Sequence, residues 1–266
     1  MRKLHSALGA LAAAALILPS PSLAQDEGSG EDAGLAYIVS IEVAPGDRDA
    51  YETAVGQLVD AAKLADLDAA AWGWFFWSSP SGYTLVYPFA NMAYWDDEGL
   101  WQRQFAGTPG EAAMAEAFQA FGTVPHQATS EILEFVPEWM YMPGGESAGE
   151  GAEPELKVAH VHDEWVRSGQ EEAYDALSKD FIAFLKDIEY PYMVHGHRTR
   201  IGPQRMVWVV FADELAGYYS DDNWMGLIEE HGASERWQEL DARFNDLVAR
   251  WDHSDYTYKA DMSYRP

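Results

Sequence analysis

The chain has 266 residues, 44 acidic against 17 basic side chains, a formal net charge of −27 and no cysteine. A surface this acidic repels phosphate backbones and anionic lipid, which excludes nucleic-acid binding. The lack of cysteine excludes thiolate catalysis, thiolate metal ligation and iron–sulfur clusters. We attribute the charge to solubility in a saline habitat rather than to recognition of a cationic ligand.

Residues 1–24 have the pattern of a secretory signal peptide. A positively charged start precedes an apolar run over residues 8–18, and residues 22–24 form a small-x-small cleavage site. The run is shorter than the roughly 20 apolar residues of a membrane span. We therefore expect a cleaved, periplasmic or secreted protein with no membrane segment after cleavage.

The rest of the chain repeats itself at a constant offset. Residues 36–141 fall on residues 159–264 without a gap, and the matched positions include glycines, prolines and large aromatics, such as Gly46 and Gly169, Tyr51 and Tyr174, Gly73 and Gly196, Pro80 and Pro203, and Trp101 and Trp224. Two segments without large hydrophobic residues, 25–34 and 143–155, are predicted acidic linkers. The repeats are therefore predicted to span residues 35–142 and 156–266.

Both repeats contain the same predicted elements in the same order. The first has a strand, a helix, two hairpin strands, a helix and a strand, at residues 37–43, 47–65, 72–77, 83–89, 111–121 and 131–135. The second has them at residues 160–166, 170–187, 193–200, 206–211, 234–251 and 256–259. The order β-α-β-β-α-β is the ferredoxin-like split βαβ unit, whose helix-free sheet face must be covered. Two copies can cover each other, which predicts an α+β fold of two tandem ferredoxin-like repeats packed as an intrachain α+β barrel.

The strand–Pro-Gly–helix opening at Pro45-Gly46, the hairpin and the tandem copies resemble the dimeric α+β barrel superfamily. That superfamily includes antibiotic-biosynthesis monooxygenases, EthD-like and NIPSNAP-like proteins and muconolactone isomerases, and more distant members bind haem. The resemblance covers both repeats and implies the fold and a barrel cavity. No catalytic motif of one family is matched, so the resemblance implies no particular reaction.

One sheet face of the second repeat is predicted to be rich in histidine. Side chains alternate between faces along a strand, and the offset relates the aromatic face of the first repeat to histidines in the second. The residues predicted to share this face, toward the space between the repeats, are His160, His162, His195, His197 and Trp208. This assignment depends on strand register, because a slip of one residue reverses the faces.

Each His-x-His pair places two rings on one face about 6–7 Å apart, a spacing that a metal ion can bridge. Three interpretations stay open: structural histidines, a polar ligand or acid–base site, and a metal or haem site. In the acid–base interpretation His195 and His197 are the catalytic candidates, because imidazole titrates near neutral pH. His160, His162 and Trp208 are then candidate ligand-binding residues, and no metal ligand or cofactor is assigned.

The run at residues 72–77 of the first repeat is strongly aromatic. Trp72 and Trp74, with Tyr37 of the opening strand, are predicted either to pack in the core or to form a cavity wall for a flat, apolar ligand.

Together these patterns predict an exported protein that binds a small apolar or aromatic molecule in a barrel cavity. By resemblance, an enzyme of this kind would be a cofactor-independent oxygenase or isomerase. The alternatives are a non-catalytic periplasmic ligand carrier or interaction module, and a haem- or metal-binding protein. Whether the chain is an enzyme and whether it forms a homo-oligomer are left open.

Overall fold

The computed structural model describes residues 34–68, 72–89, 92, 100–144, 157–220 and 224–265. The predicted signal peptide and nearly all of both predicted linkers lie outside these residues. Within them, no helix combines the length and the apolar character that a membrane crossing requires. The fold class is α+β, as predicted.

The chain divides into two compact units, and the divisions fall inside strands. Unit 1 comprises the chain up to Leu133 together with its end from Tyr258, and unit 2 comprises Glu134–Thr257. The predicted domain boundaries, at the two linkers, describe the repeat in the sequence and stay a prediction. The two units describe how the chain packs, and they end at other positions.

Unit 1 begins with a strand, a long helix and a β-hairpin. Its elements are β1 (Leu35–Val43), α1 (Arg48–Leu64), β2 (Phe75–Ser79), β3 (Gly82–Phe89), α2 (Leu100–Phe105), α3 (Glu111–Phe121) and the start of β4 (His126–Tyr141). Strand β3 lies between β1 and β2 and is antiparallel to both. One face of this sheet packs on α1 and α3, and the resulting core includes Val39, Leu85, Val55, Leu58 and Phe121.

Unit 2 contains the remaining helices and strands. Its elements after β4 are β5 (Val158–Val166), α4 (Glu171–Asp187), β6 (Met193–Ile201), β7 (Met206–Ala212), α5 (Leu215–Tyr218), α6 (Trp224–Glu230), α7 (Ser234–Leu247) and β8 (Val248–Tyr258). The strand order β8-β5-β7-β6 is the ferredoxin-like order, and every neighbouring pair is antiparallel. The core lies between this sheet and the helices, with Leu177, Phe184 and Leu185 contributed by α4.

The offset found in the sequence also relates element boundaries. Strand β1 begins at Leu35 and β5 at Val158, and both are nine residues long. Helix α1 begins at Arg48 and α4 at Glu171, and both have 17 residues. The equivalent turns and apolar positions therefore produce elements of equal length in the two units.

The two hairpins differ in register, and this reverses one predicted face. In unit 1, Ser79 pairs with Gly82, so two residues connect the strands. In unit 2 the last ladder pair is Arg198 with Met206, so residues 199–205 separate the paired positions, and the first three of these still belong to β6. As a result Trp208 pairs with Gly196, three positions from the partner that the offset predicts. An odd register difference turns every side chain of β6 to the opposite face.

The predicted boundaries of four elements were wrong. The helix predicted over residues 234–251 ends at Leu247, where the chain enters β8 directly. The closing strands are longer than predicted, since β4 has 16 residues and β8 has 11. Trp72 and Trp74 lie before β2 rather than within it, although Trp74 forms an isolated bridge with Tyr264.

Gly196 lets an indole ring lie directly on strand β6. A Cβ atom built at this position would lie 2.5 Å from the Cβ of Trp139, which stacks on Trp208. We expect Gly196→Ala to lower the free energy of unfolding by about 1–3 kcal/mol, because an extra methyl group here forces the sheet or the ring to move. Urea denaturation would measure the loss. The matched control is Gly56→Ala in α1, where a Cβ meets no atom within 4 Å; equal stability of the two variants would contradict the packing argument.

Candidate functional site

The structure separates the two predicted histidine pairs. Across β5 and β7, His160 pairs with Val210 and His162 with Trp208, so these side chains share the face that packs on the helices of unit 2. His195 and His197 pair with Val209 and Val207 on the opposite face. The prediction of one face carrying all four histidines and Trp208 was therefore wrong, and the register of the second hairpin is the reason. The predicted direction toward the space between the repeats was also wrong for His160, His162 and Trp208, because their face packs on helices.

His160 and His162 belong to a hydrogen-bonded cluster on the helix-facing side of β5 and β8. The His160 Nδ1 atom lies 2.7 Å from Asp255 Oδ1, and a carboxylate accepts, so this nitrogen donates. The Nε2 atoms of the two histidines are 2.7 Å apart. Since His160 has one proton on Nδ1 when neutral, its Nε2 accepts from the Nε2–H of His162. The hydroxyl of Tyr219 donates to both oxygens of Asp255 at 3.0 Å.

The strand register explains this cluster. His160 pairs with Asp255 and His162 with His253 across β5 and β8, so the pattern His-x-His faces the pattern His-x-Asp. The ring of His253 lies 5.4 Å from that of His160, measured between centroids. Alternation at period two therefore assembles three imidazoles and a carboxylate on one surface.

Burial keeps both histidines of β5 neutral. It lowers the pKa of His162 to about 4, and the neighbouring His160 and His253 add to the shift. Burial also lowers the pKa of His160, while the hydrogen-bonded Asp255 opposes that change. The two rings are therefore unprotonated bases at neutral pH, and Asp255 is placed to stabilise a positive charge on His160.

Two cavities of about 400 Å³ each lie on this side of the sheet within unit 2, in the range of small-molecule sites. The histidine cavity is lined by His160, His162, Tyr190, Tyr218, Tyr219, Ser220, Trp224, Met225, Trp251 and His253. The tryptophan cavity includes in its walls Glu164, Tyr174, Phe181, Trp208, Trp237, Leu240, Asp241 and Phe244. They share the walls His162, Tyr190, Tyr218, Trp224 and Trp251, so a molecule in the tryptophan cavity lies against the histidine cluster.

A buried carboxyl group lies in the wall of the tryptophan cavity. The side chain of Glu164 accepts a short hydrogen bond from the hydroxyl of Tyr174, which accepts from Trp208 Nε1 at 2.7 Å. An indole N–H can only donate, so the direction of this chain is fixed. Burial raises the pKa of Glu164 to about 7, against the two hydrogen-bond donors, and Asp163 adds to the rise.

The predicted catalytic pair has apolar surroundings. The ring of His195 contacts Phe135 and Phe211 at centroid distances of 5.4 and 5.2 Å, and Phe135 also contacts His197. The Nδ1 atom of His197 is buried without a hydrogen-bond partner among the residues that the structure describes. Burial lowers the pKa to about 4 for His195 and about 3 for His197.

The predicted aromatic residues of the first repeat lie in the core of unit 1. Tyr37, Trp72 and Trp74 are buried there. Trp74 Nε1 donates to the carbonyl of Met262 at 2.9 Å, and its ring packs on Tyr264. Of the two interpretations left open, these contacts favour core packing over a cavity wall.

Within the described ranges, no three His, Cys, Asp or Glu side chains are arranged to hold a metal ion. Two nitrogens bound tetrahedrally to one zinc ion at about 2.1 Å would be about 3.4 Å apart. The 2.7 Å between His160 and His162 is instead a hydrogen-bonding distance.

Sequence reasoning missed His253, Asp255 and Tyr219. The sequence pattern predicts a helix to residue 251 and a strand from residue 256, and the first two residues lie in the gap between them. The alternation of Trp251, His253 and Asp255 was the available signal for a strand there. Tyr219 follows the short helix α5 and carried no signal of its own.

Comparison with models of known protein families and with characterised protein sequences finds no match. Solved structures do match. A candidate monooxygenase from Fusobacterium nucleatum superposes with a TM-score of 0.55 at 9% identity, covering 89% of this chain and 99% of that one. A candidate monooxygenase from Lactobacillus acidophilus superposes with a TM-score of 0.50 at 12% identity, covering 88% and 97%. The chain has the dimeric α+β barrel fold. This is the fold that the element order predicted, and at these identities the likeness concerns the fold alone.

In this fold the helix-facing side of a sheet normally belongs to the core. Here, unit 2 keeps that side partly open, with the histidine cluster at one cavity and Glu164 at the other. The candidate site of this α+β barrel protein is therefore the pair of adjoining cavities in unit 2.

Proposed function

We propose that this protein is exported, binds a small, mainly apolar or aromatic molecule in the adjoining cavities of unit 2 and removes a proton from it. The observation that carries the proposal is the hydrogen-bonded series Asp255–His160–His162, which ends at a wall shared by both cavities. Aromatic walls supply binding area, and the histidines supply the base.

The proton transfer follows from the hydrogen-bond directions. With its Nε2–H donated to His160, neutral His162 has a free electron pair on Nδ1 to accept a proton from the bound molecule. As that proton arrives, the Nε2 proton of His162 moves to His160 Nε2, and the bound molecule keeps the electron pair of the broken bond. The positive charge then lies on His160, beside Asp255, while Tyr219 holds that carboxylate in position.

The fold neighbours favour an oxygenase as the reaction class, and an isomerase begins with the same proton removal. Two of them are candidate monooxygenases. A carbanion or enolate formed by proton removal is either protonated at another carbon, which is isomerisation, or oxidised by molecular oxygen. The alternative of a non-catalytic carrier differs in one respect, because a carrier binds the molecule without exchanging its protons.

Two measurements test the proposal. Native mass spectrometry of protein purified from its own source should show a bound organic mass on a chain that begins at Gln25. Deuterium incorporation from D2O into the methyl group of 2-acetylnaphthalene should be catalysed by the protein, and His160→Asn should slow it at least about a hundredfold.

The control is His231→Gln, a change at an exposed histidine outside both cavities, which should exchange at the parent rate. Binding without exchange would support the carrier and overturn the catalytic proposal. Failure to bind any apolar molecule would overturn both.

A further inference from the structure

The carboxyl group of Glu164 lacks a positive partner among the residues that the structure describes. Glu164 is 7% exposed, and it forms no ion pair among the described residues, whereas its neighbour Asp163 pairs with Arg205. Neither Lys nor Arg is among the described residues that line either cavity. Burying an ionised carboxylate away from any cation is unfavourable, which is the physical cause of its raised pKa.

Indole rings surround the same space. Trp208, Trp224, Trp237 and Trp251 all contribute to the wall of the tryptophan cavity. The face of an indole ring carries negative electrostatic potential and attracts organic cations more strongly than the faces of other side chains do. Asp241, on the exposed side of α7, adds a second carboxylate to the wall. Both carboxylates would repel an anionic ligand, and a neutral ligand would leave the carboxylate of Glu164 without a counter-ion.

We propose that the tryptophan cavity takes an organic cation, a protonated amine or quaternary ammonium group on an apolar body, with the cationic group between Glu164 and the indole rings. The proposal names the ligand class of the site described under Proposed function and rests on that site being the ligand cavity. It does not require proton transfer at the histidines.

The test compares phenyltrimethylammonium with tert-butylbenzene, which has the same shape without the charge. Binding is measured by quenching of tryptophan emission at pH 8 and pH 6. At pH 8 we expect the cation to bind at least about tenfold more tightly. Its contacts with the indole faces and with the ionised carboxylate together need to contribute only about 1.4 kcal/mol for this difference. At pH 6 the preference should shrink, because Glu164 becomes neutral.

The effect of Glu164 on binding must be distinguished from the effects of the other ionisable groups near it. Asp163 lies beside it on β5, Tyr174 on α4, Asp241 on α7, and His162 two residues earlier. Glu164→Gln should remove both the preference and its pH dependence, whereas Asp241→Asn should weaken binding without abolishing the pH dependence. A thermal melt confirms that each variant is folded.

The outcomes distinguish this inference from the proposed function. Equal binding of the two probes, or tighter binding of tert-butylbenzene, overturns the cation inference and leaves proton abstraction standing. Cation-selective binding that is lost in Glu164→Gln supports the inference even if no deuterium exchange is found. If neither probe binds, the inference fails together with the cavity on which it rests.

Discussion

The Glu164→Gln variant should be more stable than the parent protein at pH 8, by about 3 kcal/mol, and no more stable at pH 4. The pKa of Glu164 is about 7 in the folded protein against 4.5 ordinarily. A raised pKa means that the folded state binds the proton more tightly, so the stability is fully present below pH 4.5 and is lost as the pH rises through 7. A change of about 2.5 pH units corresponds to about 3 kcal/mol.

Urea denaturation at several pH values from 4 to 9 would measure this difference. Glutamine cannot ionise, so the variant should lack the loss that the parent shows. The control is Glu239→Gln at an exposed position of α7, which should follow the parent profile within about 0.5 kcal/mol. A parent protein whose stability does not fall relative to Glu164→Gln above pH 5 would show that the carboxyl group is solvated or paired.

Replacing His197 by leucine should have the opposite dependence on pH. We expect His197→Leu to gain about 3 kcal/mol or more over the parent at pH 4, relative to the difference at pH 7.5. The pKa of His197 is about 3 in the folded protein against 6.5 ordinarily. With a lowered pKa, the stability is present above pH 6.5 and is lost as the pH falls toward 3.

Acid denaturation followed by circular dichroism would measure the shift, with exposed His231→Gln as the control. Leucine also removes a buried Nδ1 that has no hydrogen-bond partner within the described part of the chain, so little is lost at neutral pH. Parallel acid transitions of the parent and His197→Leu would mean that the imidazole is hydrated, as an acid–base catalyst in a solvent-filled site would be.

The element order could be predicted because the two halves of the sequence reinforce each other. Strands β1 and β5 and helices α1 and α4 are set by period-two and period-3.6 patterns that recur at the same offset. The strand order followed from the ferredoxin-like unit. The prediction that His160 and His162 share one face of β5 also followed from the alternation of side chains alone.

The face of β6 could not be predicted by transfer from the first repeat. Its register depends on the connection at residues 199–205, where Thr199 N–H donates to the carbonyl of Arg205. In the first repeat a two-residue turn closes the hairpin instead. Loop length fixes register, and register fixes the face, so a local difference moved His195 and His197 away from the candidate site.

His253 and Asp255 were lost for a different reason. Helix α7 ends at Leu247 and β8 begins at Val248, and no glycine or proline occurs in the sequence near this junction. A helical pattern has no local stop signal there, and only the pairing of β8 with β5 ends it. The strand that carries His253 and Asp255 therefore depends on tertiary pairing and could not be predicted from the local sequence pattern.

The predicted repeats, residues 35–142 and 156–266, do not coincide with the two compact units. A fragment ending at residue 142 would lack Met262 and Tyr264, which pack around Trp74 in unit 1. A fragment starting at residue 156 would lack Trp139, which stacks on Trp208 in unit 2. Each predicted half thus contributes residues to the unit that the other half mainly forms, so scission at the linker leaves two incomplete pieces. Any cut at the linker therefore divides both cores, and the two halves cannot be separated as independent domains.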